Sequence, residues 1–146
     1  MPVLQDYAAR LGFDYISFDA KGKSNEPIYH TNVMLGVADN LAWVGLDTIP
    51  NEQQKTQVLS ALQRNGRAVL QLTNEQIYQH FAGNMLALAN TNGEQFLVVS
   101  TSAFDCLTEI QKQLIAEAGY QLLSVAIPTI EQVGGGSVRC MLAELF

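Results

Sequence analysis

Cys140 stands at the end of GGGSVRC, a stretch that begins at Gly134. A thiol presented by such a loop has the chemistry of a nucleophile, and its natural partner is an acid–base group such as histidine. The chain has two histidines, His30 and His80. His30 lies in IYHTNVML, two residues before Asn32. Asn84, in FAGNMLAL, follows Asn32 by 52 residues, and Cys140 follows Asn84 by 56. The glycines, Gly135 among them, permit positive φ and close backbone approach ahead of the cysteine. Several N–H groups of such a loop can point at one ligand. These residue types also have structural uses. A free cysteine is often a small buried hydrophobe, and Cys106, near a helix start without polar company, is read that way. His80, beside Ile77 and Phe81 in NEQIYQHF, is read as a packing residue. The asparagines could equally tie down turns.

An internal repeat is what brings these residues to one place. ARLGFDYISFDA, QRNGRAVLQLT and AEAGYQLLSVAI each carry a glycine followed by an apolar stretch. The glycines, Gly12, Gly66 and Gly119, are 54 and 53 residues apart. Helical periodicity precedes the second through Val58, Leu59 and Leu62, and the third through Leu107, Ile110, Leu114, Ile115 and Ala118. Glycine after such a stretch is a left-handed helix stop, and the apolar run after it reads as a strand. In phase with this, HTNVMLGVADNLAWVGLD and GNMLALANTNGEQFLVVS read as β-hairpins with turns near Asn40 and Gly93.

The predicted unit is strand, strand, helix, strand, with a period of about 54 residues, as in arrays of supersecondary units. The chain holds the tail of one unit, two complete units, and a further strand opening at Cys140. Asn32, Asn84 and Cys140 take equivalent positions at three strand starts. Alternation along a strand puts His30 on the face of Asn32. The expectation is one α/β domain over residues 1–146 with His30, Asn32, Asn84 and Cys140 in one neighbourhood. A slice of two and a half units leaves open edges, which proteins usually cover.

Composition removes several function classes. With 48% hydrophobic and 15% charged residues the chain is globular. A formal charge of −6 without a Lys/Arg cluster argues against nucleic-acid binding. No apolar run is long enough to span a bilayer, and the N-terminal MPVLQDYAARLG lacks signal-peptide character, so a cytoplasmic protein without membrane partners is expected. Two cysteines make no disulfide framework, and no CxxC, HxxxH or HExxH pattern is present; neither a metal nor another cofactor is expected.

GGGSVRCMLAE, IYHTNVML and FAGNMLAL resemble the C-terminal half of the guanidino-group-modifying enzymes. That superfamily includes arginine deiminase, dimethylarginine dimethylaminohydrolase and the amidinotransferases, and the nearest likeness is to the arginine deiminase-related, citrulline-utilisation type. The resemblance covers essentially the whole chain. It implies a pentein-like partial α/β propeller, taken from a five-bladed ring. It implies that Cys140 attacks the guanidinium carbon of an arginine-like substrate to give a covalent thiouronium-type intermediate. His30 is then similar to the histidine that protonates the leaving group and activates water or an acceptor amine. Asn84 matches a strand-start asparagine near the family's site. Asn32 stands where deiminases carry an aspartate. Asn32, Asn84, Gly135 and Glu131 become the substrate-binding candidates.

The resemblance implies that the family's guanidinium-binding carboxylates come from an N-terminal half, which this chain is expected to lack. A planar cation needs such bidentate acceptors. Of Asp14, Asp19, Asp47, Glu131 and Glu144, Glu131 is the best-placed local substitute. Two functions follow: a cysteine hydrolase or transferase of guanidino compounds, or a non-catalytic, oligomerising module that keeps the fold. A homo-oligomer or a separate N-terminal half would complete the ring.

Overall fold

The computed structural model describes residues 2–143. Glu144 lies outside the described residues. The first helix, α1 (Pro2–Leu11), starts on a proline, whose missing N–H costs nothing in a first turn. It stops at Gly12 with φ +69°. The stretch FDYISFDA after it, expected to be a strand, forms no ladder; the nearest pairing is an isolated bridge between Lys21 and Pro27. A strand needs a neighbour for its N–H and C=O groups. Here Gln54 accepts from the Asp19 N–H at 3.0 Å and donates to its carboxylate at 3.1 Å, while the Phe13 N–H and the Ala20 carbonyl bond to backbone outside any ladder.

Two small sheets follow, each with the expected strand, strand, helix, strand order. In the first, β1 (Leu35–Val37) pairs antiparallel with β2 (Leu41–Val44), placing Leu35 opposite Val44. Helix α2 (Glu52–Leu62) is capped by Asn51, whose side chain accepts from the N–H groups of Gln53 and Gln54. It buries Val58 and Leu62, and the chain returns as β3 (Ala68–Gln71), parallel to β2. A short helix, α3 (Asn74–His80), leads to the second sheet. There β4 (Leu86–Ala89) and β5 (Gln95–Ser100) form the hairpin, and α4 (Thr101–Cys106) and α5 (Glu109–Glu117) cross over to β6 (Gln121–Val125), parallel to β5.

The sheet orders, β1-β2-β3 and β4-β5-β6, are the same. Gly66 and Gly119 take the expected positive φ, at +73° and +94°. The expected stripe over Leu107–Ala118 needs one correction: Leu107 and Ile115 are buried, but Ile110 is 79% exposed. Leu107 separates α4 from α5, so the helical phase begins two residues later than the sequence suggested. The described residues form no closed ring of sheets.

One apolar cluster runs through both sheets, with Met34, Leu41, Trp43 and Leu70 from the first unit and Met85, Leu97 and Ile115 from the second. Trp43 is 2% exposed and donates from Nε1 to the Gly83 carbonyl at 2.9 Å, which satisfies the one polar atom of its ring. A second link is polar. Thr73–Gln76 and Thr108–Gln111 are capping boxes at the starts of α3 and α5. Gln76 donates to the Cys106 carbonyl at 2.8 Å and to Gln111 Oε1 at 2.7 Å, tying the two caps together. After β6 come α6 (Pro128–Gly134) and the single turn α7 (Val138–Met141).

Candidate functional site

Cys140 sits in α7, not at the start of a strand. Its N–H bonds to the Ser137 carbonyl at 3.0 Å, a helical turn that a strand register would break. Asn32 likewise lies in a tight 3₁₀ turn, Thr31–Val33, with His30 as its N-cap. The Val33 and Met34 N–H groups bond to the His30 and Thr31 carbonyls, both at 3.0 Å, so β1 begins only at Leu35. Asn84 is also in a turn, its N–H on the Phe81 carbonyl at 2.8 Å, and β4 begins at Leu86. All three strand-start assignments are therefore corrected. The alternation argument for His30 and Asn32 falls with them, since residues two apart in a three-residue turn do not share a face.

The three positions nevertheless converge. Asn84 Nδ2 donates to the Asn32 carbonyl at 3.0 Å and to Cys140 Sγ at 3.3 Å. Asn84 Oδ1 accepts from the N–H groups of Ser137 at 3.2 Å and Cys140 at 3.3 Å. Gly83 makes this approach possible. A Cβ there would lie 2.2 Å from the Val33 carbonyl oxygen and 2.8 Å from Met34 Cα, closer than any side chain allows.

The glycine loop has its own bracing. Gly135 adopts φ +65° and ends α6 in the left-handed conformation. Gly136 lies against the cysteine, where an added Cβ would stand 3.2 Å from Sγ. Glu131 accepts from the Ser137 hydroxyl at 2.7 Å, and Ser137 is buried. Glu131 thus holds the loop from behind.

Cys140 is exposed. Exposed too is the His30 ring, edge-on to Tyr29 at 6.3 Å, and among the described residues no hydrogen bond joins it to Cys140. The structure therefore gathers Asn32, Asn84 and Cys140 directly and leaves His30 two residues from the junction. Asn84 is 3% exposed with its amide fully engaged, so it organises the site from within. Asn32 Oδ1 is buried without a hydrogen-bond partner.

Beside the junction runs a groove of about 310 Å³, lined by Thr31, Asn32, Val37, Ala87 and Arg139 among others. Ser137, Arg139 and Gly83 are the residues that sequence reasoning passed over. Gly83 had a signal in the pair Gly-Asn; Ser137 and Arg139 had none beyond adjacency to the cysteine. The larger hollows, about 540 and 760 Å³, lie at Tyr15, Ile16 and Arg64, on the side of α1 and α2.

The other cysteine and histidine have local partners. The Cys106 thiol donates to the Ala103 carbonyl at 3.2 Å. Burial, with Glu75 and Asp105 adding to it, pushes that thiol up to about 11. His80 Nδ1 lies 3.0 Å from Ser102 Oγ. Among the described residues no three His, Cys, Asp or Glu side chains gather as metal ligands, and no helix is long and apolar enough to cross a membrane.

A family model described as N,N dimethylarginine dimethylhydrolase, eukaryotic, matches residues 1–146. No curated protein matches the chain.

Proposed function

Because the chain belongs to the eukaryotic N,N dimethylarginine dimethylhydrolase family, we propose that it is a guanidino-compound hydrolase with Cys140 as its nucleophile. The observation that carries this reading is the junction at Asn84, which holds an exposed thiol, a glycine loop and the His30-bearing turn together. The thiolate attacks the guanidinium carbon. The C–N bond to the amine or ammonia leaving group breaks as His30 supplies its proton, leaving a thiouronium-type adduct on sulfur. His30 then takes a proton from water. The hydroxide adds to the same carbon, the C–S bond breaks, and the ureido product leaves after its hydroxyl proton passes to solvent, with the thiolate restored.

The groove beside Asn32 takes the rest of the substrate, with Arg139 as the cationic group on its wall. An amidino-acceptor amine in place of water would make the same site an amidinotransferase. Within the wider guanidino-group-modifying superfamily, the likeness of GGGSVRCMLAE favours the arginine deiminase-related, citrulline-utilisation type.

The two like-ordered sheets are read as two blades of an α/β propeller. Exposed Leu123 and Val125 on β6, with Ile130 and Val133 on α6, favour completion by further polypeptide, from a second copy or a separate N-terminal half. That polypeptide would also bring carboxylates for the guanidinium, since Glu131 is engaged with Ser137. If no such completion occurs, the chain is a binding module without turnover.

The test is incubation with dimethylarginine and arginine, with detection of ureido product and of an acid-stable adduct on Cys140. Product that vanishes in Cys140→Ser supports the reading. Turnover that survives Cys140→Ser refutes it. A haloacetamidine that labels Cys106 as fast as Cys140 would also count against it.

A further inference from the structure

Asn84 is buried, yet every hydrogen-bonding position of its side chain is filled, and by two segments distant from it in sequence. Its two amide hydrogens go to the Asn32 carbonyl and to Cys140 Sγ, at 3.0 and 3.3 Å. Its oxygen takes two N–H groups of the loop, from Ser137 and Cys140, at 3.2 and 3.3 Å. Its own main-chain carbonyl accepts from the Arg139 N–H at 3.3 Å. A primary amide offers two donors and two acceptor sites, so nothing is left over for a substrate.

We propose that Asn84 is the positioning residue of the Cys140 site: its amide N–H stabilises the thiolate, and the same group fixes the His30-bearing turn relative to the sulfur. This rests on Cys140 being the nucleophile. A neutral thiol is a weak acceptor, whereas a hydrogen bond to an ionised partner is roughly twice as strong. The donor therefore favours the reactive form. The arrangement also explains the choice of residue. Serine is too short to reach both partner segments, and glutamine is one carbon too long for the same four bonds. Aspartate matches the shape but has no hydrogens to give. The Asn32 carbonyl belongs to the turn that His30 caps, so the N–H that holds it sets where the acid–base group stands.

Asn84→Asp separates the two halves of the amide. One oxygen still accepts from Ser137 and Cys140, so the loop keeps its support. The other now sets a negative charge against the Asn32 carbonyl and Sγ. The experiment alkylates the full chain with iodoacetamide at pH 7 and quantifies Cys140 and Cys106 separately by peptide mass spectrometry. The expected result is a rate at Cys140 lowered about tenfold or more, with Cys106 unchanged. A variant that alkylates at Cys140 as fast as the parent overturns the proposal.

Should Asn84→Asp fail to fold, the parent protein decides. The Asn84 side-chain amide protons, followed by NMR, move over the pH range in which the Cys140 alkylation rate rises; amide signals that ignore that transition overturn the proposal. Iodoacetamide needs no guanidinium pocket. Absent turnover of guanidino compounds would therefore sink the proposed function and leave this test intact.

Discussion

The two thiols should differ in alkylation rate by a margin that the structure sets. Cys106 is half-buried at the end of α4, and desolvation pushes its thiol up from 9.0 to about 11, with nearby acidic charge from Glu75 and Asp105 in the same direction. Its own hydrogen bond and Lys112 pull the other way and lose. Two pH units mean about a hundredfold less thiolate at any pH below 9, and the thiolate is the species that reacts. Cys140 is exposed, so the reagent reaches its sulfur directly.

The assay is a time course with iodoacetamide at pH 8, in buffer and in denaturant, with the two cysteine peptides quantified by mass spectrometry. Native Cys106 should react about a hundredfold more slowly than the same residue in the unfolded chain. Its rate should climb about tenfold per pH unit from pH 8 to pH 10, because the group is far below its ionisation there. Cys140 should be labelled first throughout. Native Cys106 reacting within threefold of its denatured rate would refute the reasoning. The α4 end would then be open to water, and selective labelling of Cys140 would lose its internal control.

The same group has a signature in stability. Cys106 holds its proton to higher pH folded than unfolded, so its contribution is complete below about pH 9 and is lost between there and about 11. Cys106→Ala should flatten that part of a plot of Tm against pH. Gln76→Leu removes a buried amide from the Thr73 cap, the Cys106 carbonyl and Gln111. It should cost about 2–3 kcal/mol in a urea titration. Gly83→Ala drives a methyl into the Val33 carbonyl and should cost about 1–3 kcal/mol while slowing Cys140 alkylation, because the Asn32 turn must move away from Asn84. Arg139→Ala should raise KM for carboxylate-bearing guanidino substrates about tenfold, with kcat affected less, if the groove holds the substrate tail.

Much of the scaffold was legible because its signals are local. Gly66 and Gly119 stop helices for steric reasons that depend on their own φ, and the NTNG turn near Gly93 needs only its own residues. The stretch FDYISFDA shows the limit. Its composition suits a strand, but a strand is a property of two segments, and no ladder partner lies beside residues 13–20 among those described. Ile110 shows another: it fits the helical stripe in number, yet α5 starts at Glu109, and the first turn points it outward.

At the site the repeat arithmetic found Asn32, Asn84 and Cys140 while mistaking the elements that carry them. The reason is physical. Each of the two asparagines precedes a hairpin strand by a tight turn, three residues before β1 and two before β4, so equivalent residues land at equivalent ends of the sheets whether or not they are themselves extended. Cys140 departs further, being held in α7. It stays in register because the amide of Asn84, one unit earlier, takes its N–H and reaches its sulfur. The hydrogen bonds across units are therefore what bring the three periodic positions together. An asparagine in the first unit lends its carbonyl, an asparagine in the second supplies the amide, and a cysteine in the place of the third receives it. Loss of the whole amide, as in Asn84→Ala, should then disturb all three segments together, which a set of independent strand starts would not do.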